Sequence, residues 1–412
     1  MSFNIALTGL KSTNTQLDTI SNNIANSGTT GFKESRTEFS SIYNGDAGGG
    51  VKVAGQSQNI EKSGSIETTN RTLDLAINGQ GFFITETSQG RSLYTRAGAF
   101  YTDKDNHIVN LSGDTLQGYG VDANNNLQTG IIDDLQVYQA SLGAEPTTTL
   151  EFGANLDARL TGVTLTPPAT DYTTNLDTSD VTTFNSSYTT QVYDSQGNEH
   201  TLTQYFIKSD TSPNEWTVVP TIDGNVVTPA SGANPAIVFD GTGQIDGATS
   251  ISNYTLNYPL TNGAAPMNLT VDLSSITQFG SDFVVSTNSP DGYSSGELTG
   301  IRIEDNGYLY AQYSNGQDAL QGQVILADFA STQGLQAVTE TAWVETFASG
   351  DPIVGAPDTG VLGSLSSGAL ETSNVDITQE IVNLMEAQRN YQANTKTIST
   401  SDRLTQALFN AV

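Results

Sequence analysis

The closing stretch, Asn374–Val412, constrains the chain most. Ile377, Leu384, Tyr391 and Ile398 fall at successive seven-residue steps, and Ile381, Leu404 and Leu408 widen the same face. Such a repeat lays one apolar seam along a long helix. Asp376 and Gln379 have the spacing of a capping box, which supplies a start signal. No Gly or Pro follows. The pattern predicts a helix from Ile377 to Asn410, roughly 50 Å long at about 1.5 Å per residue. A seam of that length needs a partner beyond its own helix.

The other end of the chain offers one. Phe3, Leu7, Leu10, Asn14, Leu17, Ser21 and Ile24 alternate in steps of four and three, an a/d register with two polar members. Asn26-Ser27-Gly28 follows as a stop, with Gly28 suited to a left-handed cap. Two readings stay open. The helices pair only with each other within one monomer, or they also pack against neighbouring copies. The second makes Phe3, Leu7, Leu10, Leu17, Ile24, Ile377, Ile381, Leu384, Tyr391, Ile398, Leu404 and Leu408 an inter-subunit seam.

Charge separates the ends from the middle. The chain of 412 residues carries a net charge of −29. In residues 1–26 Lys11 and Asp18 cancel. In residues 374–412 four acids face three bases and leave −1, so −28 lies between. From Leu160 to Ile301 the one basic residue is Lys208. A surface this acidic repels nucleic acid and anionic lipid, which excludes both as main ligands. There is no cysteine, hence no disulfide, thiolate metal site or cysteine nucleophile. The opening residues lack the basic and apolar regions of a cleavable signal peptide, and no apolar run reaches transmembrane length.

Between the helices the pattern is β. LDLAINGQGFFITE places a turn at Asn78-Gly79-Gln80-Gly81 before an aromatic strand. TTQVYDSQGNEHTLTQYFIK predicts a hairpin turning at Asp194–Asn198, and Asn306-Gly307 marks another. Asp46–Gly50 looks like a flexible break, residues 51–69 like a weakly alternating exposed strand, and the Gly, Ser and Pro of 345–368 like a hinge. The expected fold is mixed and mainly β. Two antiparallel β domains nest between N- and C-terminal helices that form a coiled-coil-like pair. The expected divisions are 1–26 with 374–412 for the helices, and 27–70 with 345–373 as extended connectors. A discontinuous first β domain takes 71–144 with 280–344, and an inserted β domain takes 145–279.

Chemistry is sparse. His107 and His200 have no second histidine or cysteine at ligand spacing, and the Asp-rich stretches at 103–106 and 122–126 lack the Gly and terminal Glu of an EF-hand loop. No phosphate-binding loop or nucleophile elbow occurs. No catalytic, cofactor-binding or metal residue is therefore assigned. Lys33 reads equally as a functional cation or as a charge that stabilises a turn.

Two motifs carry a resemblance. Ala25, Asn26, Thr30, Gly31, Phe32 and Lys33 match the turn that ends the first helix in the bacterial flagellar rod and hook family. SGALETSNVDITQEIVNLMEAQRNYQAN resembles that family's closing helix, with Glu371, Asn374, Val375, Gln388, Arg389 and Tyr391 in place. VYDSQGNEH is similar to the outer domain of hook proteins, and shorter rod proteins lack so large an insertion. The resemblance implies a hook subunit that polymerises into a flexible tube acting as a universal joint, the helices lining its inner wall. It implies export through the flagellar apparatus, an extracellular hook location, and contacts with itself, the distal rod, the hook–filament junction proteins and the hook cap. It implies no enzymatic activity, no cofactor and no direct membrane binding. A distal rod subunit is the alternative within the family. A secreted acidic β-rich adhesin is the alternative outside it.

Overall fold

A computed structural model describes residues 2–44, 47–122, 125–138, 140–164, 171–247, 250–339 and 341–411, with the side chains of 2, 44, 47, 48 and 408–411 undescribed. The chain divides into two compact units. The first holds residues 1–139, 299–312 and 318–412; the second holds 140–298 and 313–317.

Helices open and close the first unit. α1 spans Ser2–Ala25, the single turn α2 (Tyr172–Asn175) belongs to the second unit, and α3 spans Ile377–Ala411. Asp376 caps α3, its Oδ1 accepting the N–H groups of Thr378 at 2.9 Å and Gln379 at 3.2 Å. The box is not reciprocal, because the Gln379 amide donates to Asn383 instead. Gly28 does not adopt the left-handed conformation expected of it. Gly31 does, at φ +69°, because the chain runs on through a further turn before it reverses.

The β body of the first unit is woven from distant parts of the chain. Its sheet runs in the order Tyr308–Tyr313, Asp318–Val324, Thr115–Val121, Phe82–Glu86, Ser92–Thr95, Ala342–Val344 and Gln336–Val338. Phe82, Tyr94, Phe329 and Trp343 meet edge to face, Tyr94 and Phe329 with centroids 4.7 Å apart. The Asn306-Gly307 turn forms as the sequence predicts, with Gly307 at φ +86°.

Two expectations for connectors are corrected. The hinge-like segment 345–368 is paired: Ile353–Gly355 joins Leu326–Asp328, and Ser364–Ser367 joins Leu75–Asn78. Ala369–Glu371 then joins Ile66–Thr68. Gly363 serves close packing, since a Cβ there would stand 2.5 Å from the Asn78 carbonyl, while Gly350, Gly360 and Gly368 take positive φ at turns. At the other end, β1 (Ser35–Asn44) and β2 (Ala47–Gln58) form a long antiparallel hairpin where a break and one weak strand were expected. Asp46 of that break lies outside the described residues. A lone two-stranded hairpin is marginal in water. This one lies on α1: Thr37 and Thr19 hydroxyls meet at 2.8 Å, and Gln56 donates to Thr19 at 3.0 Å. These polar contacts explain the weak alternation.

The second unit is two sheets over one core. One contains Ser186–Tyr193, Glu199–Lys208 and Glu215–Ile222, all antiparallel. The other centres on Thr149–Asp157, which also makes two short parallel pairings, with 270–272 and with 277–279. Phe152 and Phe206 stack at 5.7 Å within a core that includes fully buried Trp216 and Leu269. Leu269→Ala should cost about 3 kcal/mol. Urea unfolding followed by Trp216 fluorescence in a Trp343→Phe background should show it; an unshifted midpoint would contradict this core.

The hairpin turn at Asp194–Asn198 is charge-locked. Fully buried Asp194 accepts from the Gln196 and Asn198 amides and from the side chains of Asn198 and Asn262. His200 stands between two carboxylates, Nδ1 2.7 Å from Asp223 and Nε2 3.4 Å from Asp194. Burial opposes the imidazolium, but the bonds to Asp223 and Asp194 outweigh it and raise the pKa. Burial likewise opposes the charge on both aspartates, and their hydrogen bonds outweigh it and hold them low. The His200 contribution is therefore complete below its ordinary value near 6.5 and lost as pH rises through the raised one. The aspartate contributions are present above the ordinary carboxylate range and lost as pH falls through the depressed values. The second unit should thus be more stable at pH 6 than at pH 9. His200→Gln should flatten that difference in urea midpoints, and a slope unchanged in the variant would refute the assignment.

Candidate assembly interface and the buried junction behind it

The terminal helices pair antiparallel. Asn23 Nδ2 donates to Glu380 Oε2 at 3.4 Å, and Gly9 abuts Asn394 so closely that a Cβ would stand 2.9 Å from its Oδ1. Fourteen residues separate 9 from 23 and 380 from 394, so the register holds along both helices. On α1 the covered side chains are Ala6, Ser12, Thr13, Thr19, Ile20 and Asn23, and on α3 Glu380 and Ala387. Small residues let the backbones approach, and a buried amide–carboxylate bond sets the register.

This is not the seam read from the apolar positions. Leu7, Leu10, Leu17 and Ile24 are only half-buried, as are Leu384, Tyr391 and Ile398. Phe3, Ile377, Ile381 and Leu404 are exposed, and the Leu408 side chain lies outside the described residues. The monomer thus brings the two helices together through small and polar residues. It leaves an apolar row, Ile377, Ile381, Val382 and Met385, each 46–52% exposed, along the start of α3. A cavity of about 430 Å³ lies between α1, α3 and the hairpin, lined by Ile5, Gly9, Thr13, Phe39, Val51 and Asn394 among others.

Behind the helices sits a buried ionic junction. Lys33 Nζ lies 2.8 Å from Glu371 Oε1, and Arg96 Nη1 lies 3.2 Å from Glu371 Oε2, with all three side chains at most 4% exposed. Lys33 also donates to the Lys62 carbonyl and Arg96 to the Gly79 carbonyl, both at 2.9 Å, while the Gly64 amide donates to Glu371 at 2.8 Å. Burial pushes the Lys33 and Arg96 pKa values down, with Glu371 acting against it. One carboxylate thereby ties the turn after α1, the β body and the strand before α3.

The signature turn is the frame for this junction. Ala25 ends α1, and Asn26 bonds back to Asn22 and receives the Thr29 hydroxyl. The Thr30 carbonyl receives Thr341, and the Gly31 amide donates to the Glu371 carbonyl at 2.9 Å. A Cβ at Gly31 would stand 2.5 Å from the Ala97 nitrogen, so only glycine fits there. The Phe32 amide donates to Thr29, and Lys33 supplies the cation. Asn374 closes the frame, accepting from the Glu34 amide at 2.7 Å and donating to the Asn59 and Lys62 carbonyls at 2.8 Å. Of the two readings of Lys33, these contacts match the structural charge. Residue pattern alone assigns no role to Glu371 or Asn374 and no signal to Arg96, Asn23 or Glu380, because each partner lies far along the chain.

No group of His, Asp or Glu among the described residues could hold a metal ion. His107 lies 3.8 Å from Asp103, whose Oδ1 accepts backbone amides, as in an ordinary turn. The termini are joined in one helical pair with apolar positions left uncovered. Known proteins narrow the class. The Flagellar hook protein FlgE/F/G D1 domain matches residues 76–154, and the Flagellar basal body protein FlaE D2 domain matches 155–293. Flagella basal body rod protein matches 3–33, and Flagellar basal body rod FlgEFG protein C-terminal matches 366–411. The flagellar hook protein FlgE of Salmonella typhimurium is 37% identical over 417 residues, covering all of both chains. That of Escherichia coli is 36% identical over 416, again covering all of both. The crystal structure of Helicobacter pylori flagellar hook protein FlgE2 has the same fold, with a TM-score of 0.55 and 15% identity over 74% of this chain and all of that one. The chain belongs to the flagellar hook protein family, a family of structural proteins.

Glu371→Gln would leave Lys33 and Arg96 facing each other without a countercharge. Lys33→Met would leave Glu371 with Arg96. The first should cost about 3–5 kcal/mol and the second clearly less, read from urea midpoints of Trp343 fluorescence. Equal losses would mean that the carboxylate is not the hub.

Proposed function

We propose that many copies of this hook subunit stack into an open helical tube, a flexible joint that passes torque from rod to filament. Heterologous contacts that do not close generate such tubes. The observation that carries this reading is the apolar row on α3. Ile377, Ile381, Val382 and Met385 remain exposed after α1 has already taken its side of α3. A contiguous row of this kind marks an interaction surface, and nearly neutral helices pack copy on copy without like-charge repulsion. The half-buried Leu7, Leu10, Leu17, Leu384, Tyr391 and Ile398 extend the seam between copies, with Phe3, Ile24 and Leu404 at its edges.

The function is mechanical, not enzymatic. The hook beyond the cell surface is the site of action. Distal rod and hook–filament junction proteins would meet the two ends of the tube. The hook cap and the flagellar export apparatus would handle the chain during assembly.

Ile381→Asp and Val382→Asp each place a charge on the exposed row without touching the helix pair. Both variants should keep the circular dichroism of the wild-type monomer and fail to form tubes in electron micrographs. Normal tubes from either variant would remove the α3 row from the assembly interface.

A further inference from the structure

The apolar row on α3 contains one atom that ordinary chemistry can rewrite. Ile377, Ile381 and Val382 are hydrocarbon, whereas Met385 carries a thioether. Its side chain is 52% exposed, open to a small solute. The chain has three methionines and no cysteine, the residue that otherwise draws oxidants. Met267 is 4% exposed inside the core of the second unit, and Met1 lies outside the described residues. Among the described residues, an oxidant therefore meets accessible sulfur at Met385.

Position on the helix decides what oxidation changes. Ala387 is 0% exposed and marks the face of α3 that α1 covers. Glu380 and Asn394, which meet Asn23 and Gly9, lie one heptad to either side of it on the same face. Met385 is two residues from Ala387, roughly 200° around the helix at about 100° per residue. It therefore faces away from α1. Its neighbours on the helix surface are Ile381 and Val382, 46% and 47% exposed. A thioether is flexible and apolar, and packs readily into an irregular apolar contact. A sulfoxide is polar, and burying it without a hydrogen-bond partner is unfavourable.

We infer that Met385 is an oxidation-sensitive control point on assembly: a peroxide converts its thioether to the sulfoxide, and the oxidised copy stays out of the tube. The sulfur lone pair attacks one peroxide oxygen, an S–O bond forms and the O–O bond breaks. The second oxygen leaves as water and takes both peroxide protons. Sulfur gives up two electrons, which the peroxide accepts. The effect rests on the α3 row being the seam between copies, as proposed above. In a tube the same seam covers Met385, so the free subunit is sensitive and the assembled one is protected.

The test treats the full chain with hydrogen peroxide before or after assembly. In the free subunit, peptide mass spectrometry should find the added oxygen at Met385 about tenfold faster than at Met267. The oxidised subunit should keep the wild-type circular dichroism and melting, yet require about a tenfold higher concentration to form tubes. Methionine sulfoxide reductases for both sulfoxide epimers should restore it. Met385→Leu should form tubes with or without the treatment, and preformed wild-type tubes should be oxidised at Met385 about tenfold more slowly than the free subunit. Three results would each overturn the inference and leave the tube standing: unchanged assembly of the oxidised wild type, loss of assembly in treated Met385→Leu, or equal oxidation of Met385 in tubes and free subunits. If the untreated wild-type chain forms no tube, the assembly reading fails and this inference falls with it.

Discussion

One carboxylate holds the ends of this chain to its middle. Glu371 accepts from Lys33, Arg96 and the Gly64 amide in a site closed to water. A buried charge pair adds little net stability compared with a well-packed apolar trio, because each ion gives up its hydration. What the junction does is tie three distant segments to one point: one anion meets two cations, which also reach the Lys62 and Gly79 carbonyls. Once that arrangement forms, the exit direction of α1 and the entry direction of α3 are both set. The helix pair is then a consequence of the junction as much as of its own contacts.

Local signals were legible in the sequence, and distant ones were not. Both terminal helices follow from periodicity, and the turns at Asp194–Asn198 and Asn306-Gly307 follow from turn chemistry. The apolar positions identified the helices but misplaced the face that α1 and α3 share. That face uses Gly9, Thr13, Asn23, Glu380, Ala387 and Asn394, residues that apolar counting passes over. The ionic junction left no trace because 338 positions separate Lys33 from Glu371. The hairpin of β1 and β2 was hidden for a related reason. Its covering layer is α1, reached through hydroxyl and amide contacts instead of an alternating apolar stripe.

The paired segment 345–371 also moves the question of flexibility. Strand pairing fixes this run to the β body at three places. A run that is paired in this way offers little compliance of its own. Flexibility does not belong to slack within this segment.

Lys208 carries a consequence for the surface of the second unit. Its ammonium is buried and spent on the Ala158 and Leu160 carbonyls, Arg159 is engaged by Asp157 and Asp282, and His200 by Asp194 and Asp223. Among the described residues of the second unit, every basic side chain is thus already engaged by partners of its own. The like charge that remains is screened by dissolved ions over about 10 Å at 0.1 M salt. Two such surfaces brought together repel each other, and the repulsion weakens as salt is added.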